Sequence, residues 1–322
     1  MNQQEEQVQY GVPLRRIMIA VDDSNASLQA LRFAGRVAPR DADVRIVCAA
    51  EQPRAWQAGG AYTAGDAWMK DTLAAARQEL RHEAERTLER AMSAFDGQVA
   101  SVSGHVLNLS GESGAVVNAL SAAASEWQAD VLIVGARHRG RVKRWVDGSV
   151  SGALAVSAPC PLLVVPAEYE ARAEARFARM LLATDGSEAS AQAIEAAMRL
   201  ITPQIELRAI YVVDRSSVAA GPVAAPGLEE SFSGVGRQAL AAASEQLGPA
   251  GDACETALVA TGLIRDDIAH TVLRDAEHWN ADLVVLGTHG RRGVARWLLG
   301  SVAQRAVEIT RVPLLLVGPR EG

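Results

Sequence analysis

Cysteine is scarce in this chain. Cys48, Cys160 and Cys254 are the only three in 322 residues, and none belongs to a Cys-x-x-Cys pair. They are too few and too scattered for a disulfide framework, and they suit a reducing compartment. Aromatic residues make up 4%, which excludes a stacking platform for single-stranded nucleic acid. Basic charge is not in excess: the net charge is -6 and the pI about 5.6, so no nucleic-acid partner is expected. Long apolar runs are also missing. Stretches such as Val131-Leu132-Ile133-Val134 are strand-length, far short of a membrane span, and no membrane partner is expected. The opening Met1-Asn2-Gln3-Gln4-Glu5-Glu6 is polar and acidic, so no secretory leader and a cytoplasmic location are expected.

What the chain does contain is a repeat. Residues 130–166 laid on 282–318, an offset of 152, match at thirteen of thirty-seven positions, including Asp130/Asp282, Gly135/Gly287, Trp145/Trp297 and Pro161/Pro313. Nearer the start of each half the offset is 163, pairing Asp22 with Asp185, Ser24 with Ser187 and Ser27 with Ser190. At about 150 residues per domain, the length accommodates two copies. The expected division is a polar tail over 1–12, one domain over 13–167, a charged helical linker over 168–176 and a second domain over 177–320.

Each copy alternates short apolar runs with helical patterns. Runs such as Arg16–Val21 and Met180–Thr184 suit strands buried on both faces. A serine follows each first strand and is placed to cap a helix (Ser24, Ser187). After the second strand, 52–66 and 216–236 are rich in Gly, Ala, Pro and Ser and read as loops or partly disordered lids. Strand–helix alternation predicts an α/β fold: two tandem doubly wound domains, each with a five-stranded parallel sheet. Each copy ends in an apolar strand, Leu162–Val165 or Leu314–Val317. An apolar edge invites pairing, so the two domains are expected to pack together as a pseudo-dimer.

The sharpest chemical signal is Gly287-Thr288-His289-Gly290-Arg291-Arg292-Gly293, followed by Gly300-Ser301-Val302-Ala303. It begins where a strand ends, and Ser301 opens a helix. Glycines allow close backbone approach to a polyphosphate, and the free amides of a helix start favour negative charge. Alternative sites are weaker. Gly135-x4-Gly140-Arg141-Val142 lacks the Lys and Ser/Thr of a P-loop, and no G-x-G-x-x-G follows the first strand. The six histidines make no metal-ligand spacing, so no protein-held metal site is expected. No nucleophile with an adjacent base is visible, and no catalytic residue is assigned.

These residues together resemble the universal stress protein family in its tandem, ATP-binding form. The resemblance rests on Ala183-Thr184-Asp185-Gly186-Ser187, Tyr211-Val212-Val213-Asp214, the glycine motif and Val312-Pro313-Leu314-Leu315-Leu316-Val317, and it covers nearly the whole chain. It implies a Rossmann-like fold of the adenine-nucleotide α-hydrolase type, and an ATP cofactor with Mg²⁺ or Mn²⁺ as companion ion. Ala183, Asp185 and Val212 would hold adenine and ribose. Gly287 to Gly293 and Ser301 to Ala303 would hold the phosphates. In the first copy Asp22, Gly135, Gly148 and Ser149 keep the pattern, but His138 stands where the second glycine belongs, so that site is expected to be empty or weaker. The implied function is an ATP-set regulator of the stress response acting on a protein partner, with assembly into a homodimer also open. The competing readings are a slow ATP hydrolase and a ligand-independent interaction module on the same fold.

Overall fold

The computed structural model describes residues 11–50, 67–109, 115–136, 150–170, 177–215, 228–262, 266–290 and 299–318. The first copy runs β1 (Arg16–Val21), α1 (Asn25–Val37), β2 (Asp43–Ala50), α2 (Ala67–Ser93), β3 (Ser101–Asn108), α3 (Ala115–Glu126), β4 (Val131–Ala136), α4 (Val150–Ser157) and β5 (Leu162–Pro166). The second runs β6 (Arg179–Ala183), α5 (Glu188–Met198), β7 (Glu206–Val213), α6 (Leu228–Leu247), β8 (Glu255–Ala260), α7 (Ile268–Trp279), β9 (Leu283–Gly287), α8 (Ser301–Ile309) and β10 (Leu314–Val317). Within each copy the strands are parallel, in the order third, second, first, fourth, fifth. This is the doubly wound α/β arrangement, present twice.

The two five-stranded sheets join into one. β5 and β10 pair antiparallel, with Leu314 opposite Val164, Leu315 opposite Leu163 and Leu316 opposite Leu162. Ten strands then follow the order β3-β2-β1-β4-β5-β10-β9-β6-β7-β8. The central strands are buried on both faces, which is why β4, β5, β9 and β10 are written almost wholly in Val, Leu and Ile. One face packs under α1, α2, α5 and α6, with Phe33, Phe95, Ile194 and Leu240 in the layer; the other packs under α3, α4, α7 and α8. Both apolar layers run across the domain boundary.

Local signals explain the element ends. Ser24 and Ser187 cap α1 and α5, accepting hydrogen bonds from the amides of Ser27 and Ser190 at 3.3 and 3.2 Å. In α2 the apolar stripe of Ala84, Leu88 and Ala91 is buried, as is Phe95 just beyond the helix. No helix among the described residues is long and apolar enough to cross a membrane.

Two expectations change. The glycines of 216–236 suggest a loop throughout, yet α6 begins at Leu228 and contains both Gly234 and Gly236. Gly236 serves helix–sheet packing: a Cβ there would lie 2.4 Å from Leu258 Cδ2 and 2.7 Å from Tyr211 Cδ1. The linker is not helical where it is described, since Glu168 lies in a turn and Tyr169 and Glu170 in neither helix nor strand. Tyr169 is instead buried against Phe33, ring centroids 5.8 Å apart, with its hydroxyl bound by Arg36.

Candidate functional site

In the second copy the chain turns to opposite faces of the sheet after β6 and after β9. A cleft opens there, at the carboxyl ends of β6, β7 and β9, where ligands sit in open α/β sheets. Its volume is about 680 Å³. Its lining includes the apolar Ala183, Val212, Ile268, Val272 and Leu286, together with the loop and helix-start residues Thr288–Gly290 and Gly300–Ala303.

The loop wall is built by close approaches. The Thr288 amide donates to the Val317 carbonyl at 2.9 Å, and the Gly300 amide donates to the Thr288 carbonyl at 2.8 Å. A Cβ on Gly300 would stand 2.9 Å from that same carbonyl oxygen, so only glycine lets the chain return so closely. Gly290 lies against Asp185, where an added Cβ would be 2.8 Å from Oδ2. Gly287 lines the cleft, but its missing side chain answers to α5: a Cβ would meet the Ala189 backbone at 2.8 Å. Gly135 does the same against Ala26 at 2.4 Å.

α8 starts at Ser301 with Gly300 as its N-cap and no side-chain cap, so its first amides and positive dipole end face the cleft. His289 packs beside them, with Nδ1 2.9 Å from Thr288 Oγ1. Its Nε2 is buried and has no hydrogen-bond partner among the described residues. Thr288 is only 2% exposed, so this hydroxyl–imidazole pair fixes the ring rather than presenting a nucleophile.

Of the residues singled out in the sequence, the structure gathers Ala183, Asp185, Val212, Gly287, Thr288, His289, Gly290, Gly300, Ser301, Val302 and Ala303 around this one cleft. Arg291, Arg292 and Gly293 lie outside the described residues, as do His138, Gly148 and Ser149 of the first copy. Asp22 directly follows β1, and Gly135 is the penultimate residue of β4. Sequence reasoning missed Thr184 and Ser190, which also line the cleft. Ser190 carried a signal, the repeat match to Ser27; Thr184 stands inside the Ala183–Ser187 motif, although Val21 takes its place in the first copy.

The adjacent acids Asp266 and Asp267, before α7, act as fasteners. Asp266 accepts from the Gly262 amide (2.7 Å), Thr271 Oγ1 (3.2 Å) and Arg274 (3.0 Å). Asp267 caps α7, accepting from the His270 amide at 2.8 Å. Desolvation pushes both carboxyls up, but these bonds, with Arg274 beside the first and His270 and Arg305 beside the second, hold both below the usual range.

The universal stress protein family model matches residues 13–166 and again 176–318, nearly the whole chain. A universal stress protein of Mycolicibacterium smegmatis is 29% identical over 308 residues, covering 94% of this chain and 97% of the relative. One from Mycobacterium tuberculosis is 30% identical over 190 residues; that match spans 59% of this chain and 62% of the relative. Among solved structures, a universal stress protein from Archaeoglobus fulgidus superposes with a TM-score of 0.60 at 17% identity, covering 94% of this chain and 98% of the other. A functionally unknown protein from Pseudomonas aeruginosa gives 0.53 at 16% identity, covering 95% and 93%. At those identities the superpositions speak for the fold alone. With its family model matched twice in tandem, the chain belongs to the universal stress protein family.

Proposed function

We propose that the second copy binds ATP and that the bound nucleotide sets how the protein acts on a partner. Family membership supports a stress-response function; the nucleotide reading rests on the cleft. The observation that carries it is the close approach of Gly300 to the Thr288 carbonyl, which only glycine permits, with Gly290 seated against the Asp185 carboxylate and an uncapped helix start beside them. A cradle of backbone amides at a positive helix end fits a phosphate chain. The apolar lining fits an adenine ring, and Asp185, which also lines the cleft, suits ribose hydroxyls.

In this reading Ser301–Ala303 and Thr288–Gly290 hold the phosphates, and Ala183 and Val212 flank the base. A companion Mg²⁺ or Mn²⁺ would come with the nucleotide and offset phosphate charge. Arg291 and Arg292 follow Gly290 in sequence and supply further positive charge to the same loop. Acid extraction of the purified protein, followed by chromatography of the released small molecules, tests the reading. Adenine nucleotide in the extract supports it. An extract without nucleotide, together with no saturable binding of added ATP, overturns it.

A further inference from the structure

Near the outer edge of the first copy stands a cation without acids. Arg45 on β2 and Arg208 on β7 are counterparts at the offset of 163. In the second copy the Arg208 guanidinium grips Asp275 of α7 through both carboxylate oxygens, Nε to Oδ2 at 2.9 Å and Nη2 to Oδ1 at 3.1 Å. It also binds Glu255, which lies beside it in the β7–β8 register. Two carboxylates thus fill one fork.

In the first copy the offset of 152 puts Ala123 at the place of Asp275 and Ser103 at the place of Glu255. Ser103 is the register partner of Arg45, as Glu255 is of Arg208. Among the described residues Arg45 makes no hydrogen bond and no ion pair; its guanidinium lies over the Trp127 ring, 4.6 Å from the centroid. Asp43, two residues back on the same face, accepts from Ser101 Oγ instead. Arg45 is half-buried, and of its three guanidinium nitrogens only Nε is wholly shielded and unpaired, so the terminal pair reaches solvent. Stacking on the ring holds the fork ready for a carboxylate.

The strand beside Arg45 is open. β3 ends the ten-stranded sheet, and its eight residues pair one for one with β2. It contains no proline, lysine, arginine or acid, the residues that commonly guard an exposed edge. Its outward amides and carbonyls face no further strand among the described residues. Ser101, Ser103, His105 and Leu107 share the Arg45 face, and a strand added to β3 would place every second side chain on that face.

We propose that β3 and Arg45 form a docking edge for an extended, acidic segment of a partner protein. The segment adds a strand to β3 and gives Arg45 the carboxylate that Asp275 and Glu255 give Arg208. Main-chain pairing supplies the hold, and the fork selects the charge. This inference is independent of the nucleotide cleft, which lies in the other copy.

The test uses the full chain and a dye-labelled, amidated peptide of sequence Thr-Glu-Val-Glu-Val-Glu-Thr, with a counterpart carrying Gln for each Glu. Alternation puts the three acids on one face of a strand. Fluorescence polarisation should show the acidic peptide binding about tenfold tighter, the scale of one hydrogen bond to a charged group. Arg45→Gln should level the two peptides. So should Ala123→Asp, which gives Arg45 the internal carboxylate that Arg208 has. Hydrogen exchange should slow across 101–108 with the acidic peptide bound and stay unchanged with glutarate, a free dicarboxylate. An acidic preference that survives both variants overturns the proposal, as does failure of wild type to bind either peptide. Binding that leaves exchange across 101–108 unchanged also overturns it, because the acids then sit on another surface. Equal protection by glutarate would mark a site for small acids and overturn the protein partner.

Discussion

Arg36, in the last turn of α1, reaches across the domain boundary to Asp282 at 3.2 Å, just before β9. Its counterpart 163 residues on, Arg199, reaches back to Asp130 at 2.7 Å. The other oxygen of each aspartate accepts two amides at the start of the neighbouring strand: Arg15 and Arg16 for Asp130, Ala178 and Arg179 for Asp282. One carboxylate therefore ties its own copy's first strand to the other copy's helix, twice, about a pseudo-twofold axis.

Both pairs are largely shielded, with side-chain exposures between 13% and 26%. Asp130→Ala should destabilise the chain by about 2–3 kcal/mol, because two amides and a guanidinium lose their acceptor together. Arg199→Ala, which leaves the amide bonds in place, should cost about 1 kcal/mol. Urea unfolding of the two variants and their double measures both costs and the coupling between the partners.

The same pairs set an acid limit. Desolvation raises the Asp130 carboxyl, but the Arg16 and Arg15 amides and the Arg199 guanidinium outweigh it and hold its pKa below the usual value. A depressed folded pKa contributes stability above the unfolded value of about 3.9 and loses it as pH falls through the folded value. Wild type should therefore lose stability below about pH 4 more steeply than Asp130→Asn. Parallel slopes for the two proteins would show that the carboxylate contributes nothing.

The three thiols should be inert in the folded protein. Burial pushes Cys48 and Cys254 up to about 11 and Cys160 up to about 12, so the reactive thiolate is scarce at neutral pH. Iodoacetamide at pH 7.5 should label none of them over an hour, and all three at once in denaturant. Rapid labelling of any one in the native protein would refute the packing described around it.

Nucleotide binding in the first copy should be much weaker than in the second, giving one tight equivalent per chain. His138→Gly supplies the missing motif glycine, but Asp22 remains held by Ser24 and Ser27. Equilibrium dialysis should still count one tight equivalent in that variant. A count of two would make His138 the sole barrier.

The two-copy α/β architecture was legible because buried parallel strands are written in unbroken Val, Leu and Ile, and because the repeat offsets keep Ser24/Ser187 and Gly135/Gly287 in step. The helix starts were legible where a serine cap announces them. The beginning of α6 was not: Gly234 and Gly236 read as breakers, whereas Gly236 exists to let a helix sit on Tyr211 and Leu258. Nor was the purpose of Gly287, whose lack of a side chain suits Ala189 across the helix–strand contact. The Arg36–Asp282 bond joins residues 246 apart, and no local pattern reports a contact of that range.

The central claim, an ATP site in the second copy, is tested most directly by titrating ATP into the full chain and into Gly290→Val. A branched side chain at Gly290 would press on Asp185 Oδ2, already 2.8 Å from the position of a Cβ, and fill the mouth of the cradle. The account predicts saturable binding to the wild type and a loss of at least about a hundredfold in a variant that stays folded, roughly 2.7 kcal/mol. ATP binding of equal strength in both proteins, or none in the wild type, would contradict it.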